Sequence, residues 1–252
     1  MERHIDIKGG YNIRDIGGYT SRDGGTIRWR KIFRAGLITH IQPEGDALMK
    51  ELSLNTICDF RATDEQAANP DHWYEIDKLN RLSFPIGDGR PDKLSWLKTE
   101  NLIDGEGHHL YLSNRSYVTT HSSKYREFFK VLLDEKNYPL LYHCTAGKDR
   151  TGFATVLLLT ALGVDWDTII ADYLLTNRYL ETFAEATSHR LALSSGLAQP
   201  LVKSIFQARE SFLQGALDAI KESYSTIDIF LEKEIGIGRS EKSQLRKIFI
   251  QD

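Results

Sequence analysis

The first 85 residues alternate short, β-rich apolar runs with turn-forming residues. Runs of this kind, bounded by glycine, aspartate and proline, favour strands, and they predict strands at 26–33, 54–60 and 79–85. Residues 64–74 carry a helical pattern that is broken by a proline. The segment 87–113 is polar and rich in glycine, and we expect it to be irregular.

Beyond this segment the apolar positions take helical spacing. They predict an amphipathic helix over 117–134 and a short central strand over 139–143. The helix predicted over 151–162 is apolar on nearly every face and is therefore expected to be buried. Asp165 is a suitable N-cap for the helix that follows.

The last third of the chain is helical in pattern. A break at 194–200 precedes a long amphipathic stretch, and we expect residues 228–234 to continue it. Strands that alternate with helices predict an α/β fold with a central, mostly parallel sheet flanked by helices. We expect one domain over 1–252, with a helical appendage over about 165–235.

Composition and charge narrow the functional classes. The chain has 252 residues and a formal charge of −3, and a general nucleic-acid-binding protein would normally be basic. No run of 18 apolar residues is present, so no integral membrane segment is expected. The first residues lack the apolar middle of a secretory signal. We expect a cytoplasmic protein, and secretion stays open.

The two cysteines, Cys58 and Cys144, exclude a disulfide framework and a four-cysteine zinc site. Cys58 lies in a predicted strand and is expected to pack in the core. Whether it lies close enough to form a disulfide with Cys144 depends on the distance between their Cα atoms.

Cys144 has a setting that suggests chemistry. It follows a predicted strand, five residues intervene, and Arg150 opens a predicted helix. A tight turn and a helix N-terminus form an anion site from backbone N–H groups, and arginine can bind two phosphate oxygens at once. The same positive field favours thiolate over thiol. The spacing therefore predicts a cysteine nucleophile aimed at a bound phosphate, with Gly147 and Gly152 allowing the tight turn.

Other readings of this segment fit less well. A nucleotide-binding P-loop requires Ser or Thr after the lysine, whereas Asp149 follows Lys148. Sulfur transfer also uses a cysteine in a loop, but it does not require the Gly-Lys-Asp-Arg-Thr-Gly run. His108 and His109 are candidate metal ligands, although their glycine-rich setting favours a solvated loop. We expect no metal and no organic cofactor.

The segment matches the signature His-Cys-x5-Arg-Thr-Gly of protein tyrosine phosphatases. With Lys148 and Asp149 included, it resembles an atypical bacterial branch that contains the secreted tyrosine and phosphoinositide phosphatases of mycobacteria and Listeria. Residues 12–36, 56–66 and 208–231 also resemble that branch. The resemblance thus extends over nearly the whole chain, and it implies the tyrosine phosphatase fold with a helical lid.

The resemblance also implies roles for individual residues. Cys144 would form a phosphocysteine, Arg150 would stabilise the transferred phosphoryl group, and His143 would orient the loop. Asp149 is the first candidate for the general acid, and Asp88 is the second. Substrate contacts are implied for Thr145, Ala146, Gly147, Lys148 and Thr151, with Thr151 helping the thiolate to leave and Lys148 suited to phosphoinositides.

The function indicated is hydrolysis of phosphate monoesters. A phosphorylated protein with phosphotyrosine is the first-choice substrate, with dual specificity as an extension and phosphoinositides as the alternative. A phosphate-binding protein without catalysis is a further alternative, which the intact Cys144, Asp149 and Arg150 argue against.

Two pairs of charged residues stay open to two interpretations. Arg14 and Asp15 either contact substrate or hold a turn through side-chain hydrogen bonds. Asp59 lies at the end of a predicted strand beside Arg61. That arginine either faces the pocket or forms an ion pair with Glu65.

Overall fold

A mostly parallel sheet lies at the centre of the protein, in a computed structural model that describes residues 1–71, 79–87 and 107–252. The strands described are β1 (Arg14–Asp15), β2 (Thr26–Ile27), β3 (Ile32–Ala35), β4 (Thr56–Asp59), β5 (Asn80–Ser83), β6 (Leu140–His143) and β7 (Ile250–Gln251). The central sheet has the order β1-β3-β6-β4-β5, and its neighbours are parallel except β1 and β3. β2 and β7 form a separate antiparallel pair.

Helices cover both faces of this sheet. They are α1 (Pro43–Glu51), α2 (Thr63–Ala68), α3 (His108–Thr119), α4 (Ser122–Leu132), α5 (Arg150–Ala161), α6 (Trp166–Tyr179), α7 (Glu181–Ser195), α8 (Gln199–Ser204), α9 (Glu210–Tyr224), α10 (Ile227–Phe230) and α11 (Arg239–Phe249). A 3-10 turn spans Glu135–Asn137, and a π-helical turn at Leu231–Ile235 follows α10.

The central strand divides the core between the two faces. Side chains alternate along a strand, so Tyr142 and Leu141 of β6 face opposite sides. Tyr142 joins the larger apolar cluster, with Phe128 of α4 and Phe153 of α5. Leu141 joins the smaller cluster, which contains Met49 of α1. Burial on both faces explains why β6 is an unbroken apolar run.

The expected α/β fold, with a central, mostly parallel sheet flanked by helices, is confirmed. The buried helix expected over 151–162 is α5. Asp165 caps α6 as expected, because its carboxylate accepts a hydrogen bond from the Asp167 N–H at 3.1 Å.

The strand expected over 26–33 is wrong as one element. β2 and β3 are separated by a turn in which Arg30 has φ of 63°. The carboxylate of Asp15 fixes this turn, because its Oδ2 accepts from the Arg30 N–H at 2.7 Å. The chain therefore leaves β2 for the pairing with β7 and enters β3 in the central sheet.

Three helical boundaries also differ from the expectation. The helix expected over 117–134 is two helices, α3 and α4, with a break at Thr120 and His121. Residues 108–113, expected to be irregular, belong to α3. The stretch 228–234 does not continue α9, because Ser225 ends that helix with φ of 69°.

Among the residues that the structure describes, no helix combines the length and the apolar character needed to cross a membrane.

Candidate active site

Residues 144–150, which we call the anion loop, connect the central strand to a buried helix. β6 ends at His143, and α5 begins at Arg150. β3 and β4 flank β6 in parallel register, so the carboxyl ends of the three strands open at one edge of the sheet. The anion loop thus lies at the edge where open α/β sheets bind ligands.

Three consecutive carbonyl groups of the anion loop are tied to other parts of the protein. The Thr145 carbonyl accepts from the Leu37 N–H at 2.8 Å. The side-chain amide of Asn12 donates to the Ala146 and Gly147 carbonyls at 3.1 and 3.0 Å. These bonds fix the orientation of the peptide groups on either side of each carbonyl.

Several backbone N–H groups of the same loop, unlike its carbonyl groups, make no hydrogen bond to the protein. In the described ranges, those of Thr145, Ala146, Gly147 and Asp149 donate to no protein acceptor. The N-terminus of α5 adjoins them and contributes its own partial positive charge. Oriented N–H donors beside a helix N-terminus form an anion-binding site.

Gly147 is the residue that allows the loop to turn this tightly against β3. Its φ is +65°, a conformation that glycine adopts without steric cost. A Cβ at this position would lie 2.5 Å from the carbonyl oxygen of Ala35. A side chain here would push the anion loop off the end of β3.

A buried ionic network holds the loop from behind. Arg34 donates to the Gly147 carbonyl at 2.6 Å and to Asp172 Oδ2 at 2.8 Å, and Arg14 Nε donates to Asp172 Oδ1 at 3.1 Å. Burial raises the pKa of Asp172, but the charges of the two arginines outweigh it and hold that pKa well below its usual range. Asp172 is thus a buried anion that fixes two buried cations, one of which positions the loop.

Arg150 is held at the opposite side of the loop by Glu65 of α2. Its Nη2 donates to Glu65 Oε1 at 3.0 Å, its Nη1 pairs with Oε2, and the Thr145 hydroxyl donates to Oε1 at 2.6 Å. Burial lowers the pKa of Arg150, but Cys144 and Glu65 outweigh it and raise that pKa well above its usual value. The guanidinium therefore stays charged, in an orientation set by a carboxylate fork.

Glu65→Gln is expected to lower the free energy of unfolding at pH 7 by about 1–2 kcal/mol, a value reduced for the partial exposure of the carboxylate. Burial raises the pKa of Glu65, but Arg150, the Thr145 hydroxyl and the Ala62 N–H outweigh it and lower that pKa to about 2. A lowered pKa gives stability above about pH 4.5, and this stability is lost as pH falls towards about 2.

Urea unfolding of both proteins at pH 7 and pH 3.5 tests this expectation. The difference in stability should narrow at the lower pH. Glu185→Gln, which removes an exposed partner of Lys203, is the control and should show little difference at either pH. A difference for Glu65→Gln that is equal at both pH values would contradict the role given to its charge.

Asp149, the first candidate for the general acid, precedes α5 directly. Its Oδ2 lies 3.4 Å from the Lys148 ammonium. Its Oδ1 is buried and has no hydrogen-bond partner among the described residues. Asp88, the second candidate, lies outside the described residues, so the choice between them is not decided by the geometry.

Lys148 and Thr151 were both predicted to contact the substrate, and the structure shows a different setting for each. The Lys148 ammonium donates to the carbonyls of Ile205 and Gln207 at 2.6 and 3.1 Å, towards the segment between α8 and α9. The Thr151 hydroxyl is buried and makes no hydrogen bond within the described residues. Their predicted contacts with substrate stay predictions.

Cys144 is 2% exposed at the end of β6, and Cys58 is fully buried in β4. Burial raises the pKa of the Cys58 thiol well above its usual value, as does Asp59 to a smaller degree. Cys58 pairs in register with Tyr142, two positions before Cys144. Ideal strand geometry, with about 3.3 Å per residue and about 4.8 Å between strands, places the two cysteine Cα atoms about 8 Å apart, beyond the reach of a disulfide.

The charged residues at the end of β4 form their own cluster. Arg61 pairs with Asp59 and Asp71 at 2.7 and 2.8 Å. Of its two interpretations, the ion pair describes Arg61, but its partners are these aspartates, whereas Glu65 pairs with Arg150. The His143 ring lies behind the loop, with Nε2 3.4 Å from Asp71. Asp59, Asp71 and His143 have the spacing of a metal-binding group. Arg61 already supplies the positive charge there, so the donor set does not fit a cation well.

The motif around Arg14 and Asp15 is structural in this geometry. Asp15 Oδ1 accepts from the Gly17 N–H and Oδ2 from the Arg30 N–H, both at 2.7 Å. Arg14 bonds to Asp172. Of the two interpretations of this pair, the turn held by side-chain hydrogen bonds describes Asp15, whereas Arg14 supports the anion loop indirectly.

Sequence reasoning missed four residues that build the site: Asn12, Arg34, Glu65 and Asp172. Asn12 and Arg34 lie in the stretch 12–36, and Glu65 lies in the stretch 56–66. Both stretches resemble the family, and that resemblance could have marked these three residues as candidates. Asp172 carried none that we recognise, because an aspartate in a helix normally faces solvent.

Comparison with known proteins gives a consistent result. The model of a family described as the tyrosine phosphatase family matches residues 5–251. H16_A0669 of Cupriavidus necator, whose name places it among tyrosine-protein phosphatases, is 28% identical over 231 residues, covering 90% of this chain and 82% of the relative. The triple specificity protein phosphatase PtpB of Mycobacterium tuberculosis is 25% identical over 276 aligned positions, covering 97% and 98%. The inositol diphosphatase DSP2 of Arabidopsis thaliana is 55% identical over 40 residues, 16% of each chain.

Proposed function

This chain belongs to the tyrosine phosphatase family, and we propose that it hydrolyses phosphate monoesters through a phosphocysteine formed on Cys144. The observation that carries this proposal is the anion loop itself. The carbonyl groups of Thr145, Ala146 and Gly147 accept hydrogen bonds from other parts of the protein. The N–H groups of Thr145, Ala146, Gly147 and Asp149 donate to no protein acceptor in the described ranges, directly after a cysteine and before an arginine.

The geometry supports a mechanism in two steps. In the first step the Cys144 sulfur attacks phosphorus, the bond to the leaving oxygen breaks, and an acid protonates that oxygen. In the second step water attacks phosphorus, the deprotonated acid takes a proton from that water, and the sulfur leaves as a thiolate, which releases inorganic phosphate. Throughout, the loop N–H groups and the Arg150 guanidinium stabilise the charge on the phosphoryl oxygens.

Phosphotyrosine in a protein is the first-choice substrate. The family and the relatives named for tyrosine phosphatase activity support this choice. PtpB, named for triple specificity, supports dual specificity as an extension. Inositol phosphates and phosphoinositides form the second class, which the short but close match to an inositol diphosphatase supports. Initial rates on phosphotyrosine peptides and on soluble inositol phosphates, compared at equal concentration, rank the two classes.

Rapid acid quenching during turnover of para-nitrophenyl phosphate tests the covalent step. We expect a fraction of the protein to carry one additional phosphoryl group, located on Cys144 by peptide mass spectrometry. A phosphoryl group on another residue, or turnover with no covalent adduct at any quench time, would contradict the mechanism.

Asp149→Asn is expected to reduce kcat for phenyl phosphate by about 10²-fold, and to reduce it much less for para-nitrophenyl phosphate. The reason is that phenolate is a poor leaving group and needs a proton, whereas nitrophenolate leaves without one. Asp88→Asn is the matched variant. If Asp88→Asn shows this dependence on the leaving group and Asp149→Asn does not, Asp88 is the acid and our assignment is wrong.

We also propose that residues 1–252 form one domain in which the helical cover over the site is shorter than the expected 165–235. α6 is part of the structural core, since Asp172 is buried against Arg14 and Arg34, and Tyr173 is buried against Gly152 of α5. The cover proposed here comprises α7, α8 and the segment that leads to α9.

A further inference from the structure

Lys148 belongs to the anion loop, but its ammonium is bonded to a backbone segment outside that loop. Its side chain is 2% exposed. The ammonium donates to the Ile205 carbonyl at 2.6 Å and to the Gln207 carbonyl at 3.1 Å. An ammonium has three N–H donors, and two of them are thus accounted for by one backbone segment.

The segment 205–208, which receives these bonds, is fastened a second time. The side chain of Asn177 in α6 donates to the Ala208 carbonyl at 3.0 Å and accepts from the Ala208 N–H at 2.7 Å. Val202, just before the segment, is fully buried. Two independent contacts therefore seat this segment against the anion loop and α6.

The same ammonium lies beside the carboxylate of Asp149. The distance from Lys148 Nζ to Asp149 Oδ2 is 3.4 Å. The other carboxylate oxygen, Oδ1, is buried without a hydrogen-bond partner in the described part of the chain. The rotamer of Asp149 thus has one described charged contact to restrain it, and Lys148 provides that contact.

We propose that Lys148 is a positioning residue for Asp149, and that the segment 205–208 is the support that fixes Lys148 in place. The ammonium is held by two carbonyls and restrains the carboxylate that is to protonate the leaving oxygen. This inference rests on the proposed function, in which Asp149 is the general acid. It differs from the role of a substrate-binding cation, because a phosphate on Lys148 would have to displace the carbonyls of 205 and 207.

Three variants separate the possibilities. Lys148→Met removes the ammonium and keeps an unbranched apolar stem. Lys148→Arg keeps a charged donor that can reach backbone carbonyls. Asn177→Ala removes the second fastener of segment 205–208 without touching the anion loop, and it therefore reports what loosening of the segment does by itself.

The first readout is the ratio of kcat for phenyl phosphate to kcat for para-nitrophenyl phosphate. Lys148→Met is expected to lower this ratio about tenfold, a part of the roughly 10²–10⁴-fold effect of a well-placed acid. Lys148→Arg should recover most of the loss. Asn177→Ala loosens the support but leaves the ammonium in place, so it should lower the ratio by about threefold, less than Lys148→Met does. An unchanged ratio in Lys148→Met would overturn the proposal, and an unchanged ratio in Asn177→Ala would overturn the part of it that concerns the support.

The second readout is amide hydrogen exchange of residues 199–209, which does not depend on turnover. Faster exchange is expected in Lys148→Met and in Asn177→Ala. Unchanged exchange in Lys148→Met would overturn the part of the proposal that concerns the support. A selective loss of inositol phosphate hydrolysis, with the phenyl to nitrophenyl ratio unchanged, would identify Lys148 as a substrate-binding cation.

The failure of the proposed function is recognised separately in the same experiments. If the wild-type protein does not hydrolyse para-nitrophenyl phosphate, the phosphatase proposal fails. If it does, and the ratio stays constant in Lys148→Met, the role of Lys148 alone fails. Thermal unfolding of each variant identifies a change that results from loss of folding, in which case the ratio from Lys148→Arg decides.

Discussion

Replacing Cys144 by serine is expected to reduce kcat/KM for aryl phosphates by on the order of 10⁴-fold or more, as removal of a covalent nucleophile does in other enzymes. The loop N–H groups and Arg150 remain in this variant, so phosphate binding should persist. The serine hydroxyl, however, is far less nucleophilic than a thiolate. The measurement is the initial rate with para-nitrophenyl phosphate, together with the inhibition constant of inorganic phosphate.

Cys58→Ser is the matched control for this substitution. Cys58 is buried in β4, about two residues along the sheet from the reactive position, and its sulfur belongs to the apolar core. Its replacement should cost about 1–3 kcal/mol of stability, because it buries a hydroxyl in an apolar setting. Activity of the folded enzyme should stay near wild type. Full activity in Cys144→Ser, or complete loss in a folded Cys58→Ser, would contradict the assignment of the nucleophile.

Arg150→Lys is expected to lower kcat/KM by about 10²–10³-fold, the typical cost of losing an oriented donor for the transition state. A lysine keeps the positive charge but offers a point charge in place of a planar fork. It cannot bind Glu65 at two points and still present parallel N–H groups to a phosphoryl group. We therefore expect a loss in kcat as well as weaker inhibition by inorganic phosphate.

Arg115→Lys provides the control for the same chemical change. Arg115 pairs with Glu222 at the surface, away from the anion loop, and its side chain is 30% exposed. Its substitution should leave kcat/KM within about twofold, because exposed ion pairs contribute little. Retention of wild-type kcat/KM in Arg150→Lys would show that the guanidinium geometry is not required.

The arrangement of the anion loop could be predicted from the sequence because its residues are consecutive in the chain. A cysteine that follows a strand and an arginine six positions later, at the start of a helix, lie at the two ends of one short turn. The apolar runs of β6 and α5 made that arrangement predictable. The α/β class followed in the same way from the alternation of strands and helices.

The partners that fix the loop were harder to predict, since they are remote in sequence. The sequence around Glu65 gives no indication that its carboxylate pairs with Arg150. An ion pair between Glu65 and Arg61 was equally consistent with the sequence spacing. Arg61 instead pairs with Asp59 and Asp71. The position of an ion pair depends on which elements meet in space, and sequence spacing within one element does not contain that information.

The boundaries that were wrong have a similar origin. The run 26–33 is uniformly β-rich, but its two halves pair with different strands, and the turn at Arg30 is fixed by the carboxylate of Asp15. Similarly, α3 and α4 share an apolar pattern across a break at Thr120. Apolar periodicity records which side of an element is buried, and two successive elements with the same buried side resemble one longer element.

The hydrogen bonds that hold the anion loop join residues far apart in the sequence, so the loop can take its final shape only after both partners have been synthesised. Arg34 reaches the Gly147 carbonyl across 113 positions of the chain, and Arg14 reaches Asp172 across 158. Contacts between such distant residues close large loops and form slowly compared with local ones. A growing polypeptide that has just incorporated Cys144 still lacks the aspartate of α6. The newly synthesised chain therefore carries this cysteine before it can form the anion site around it.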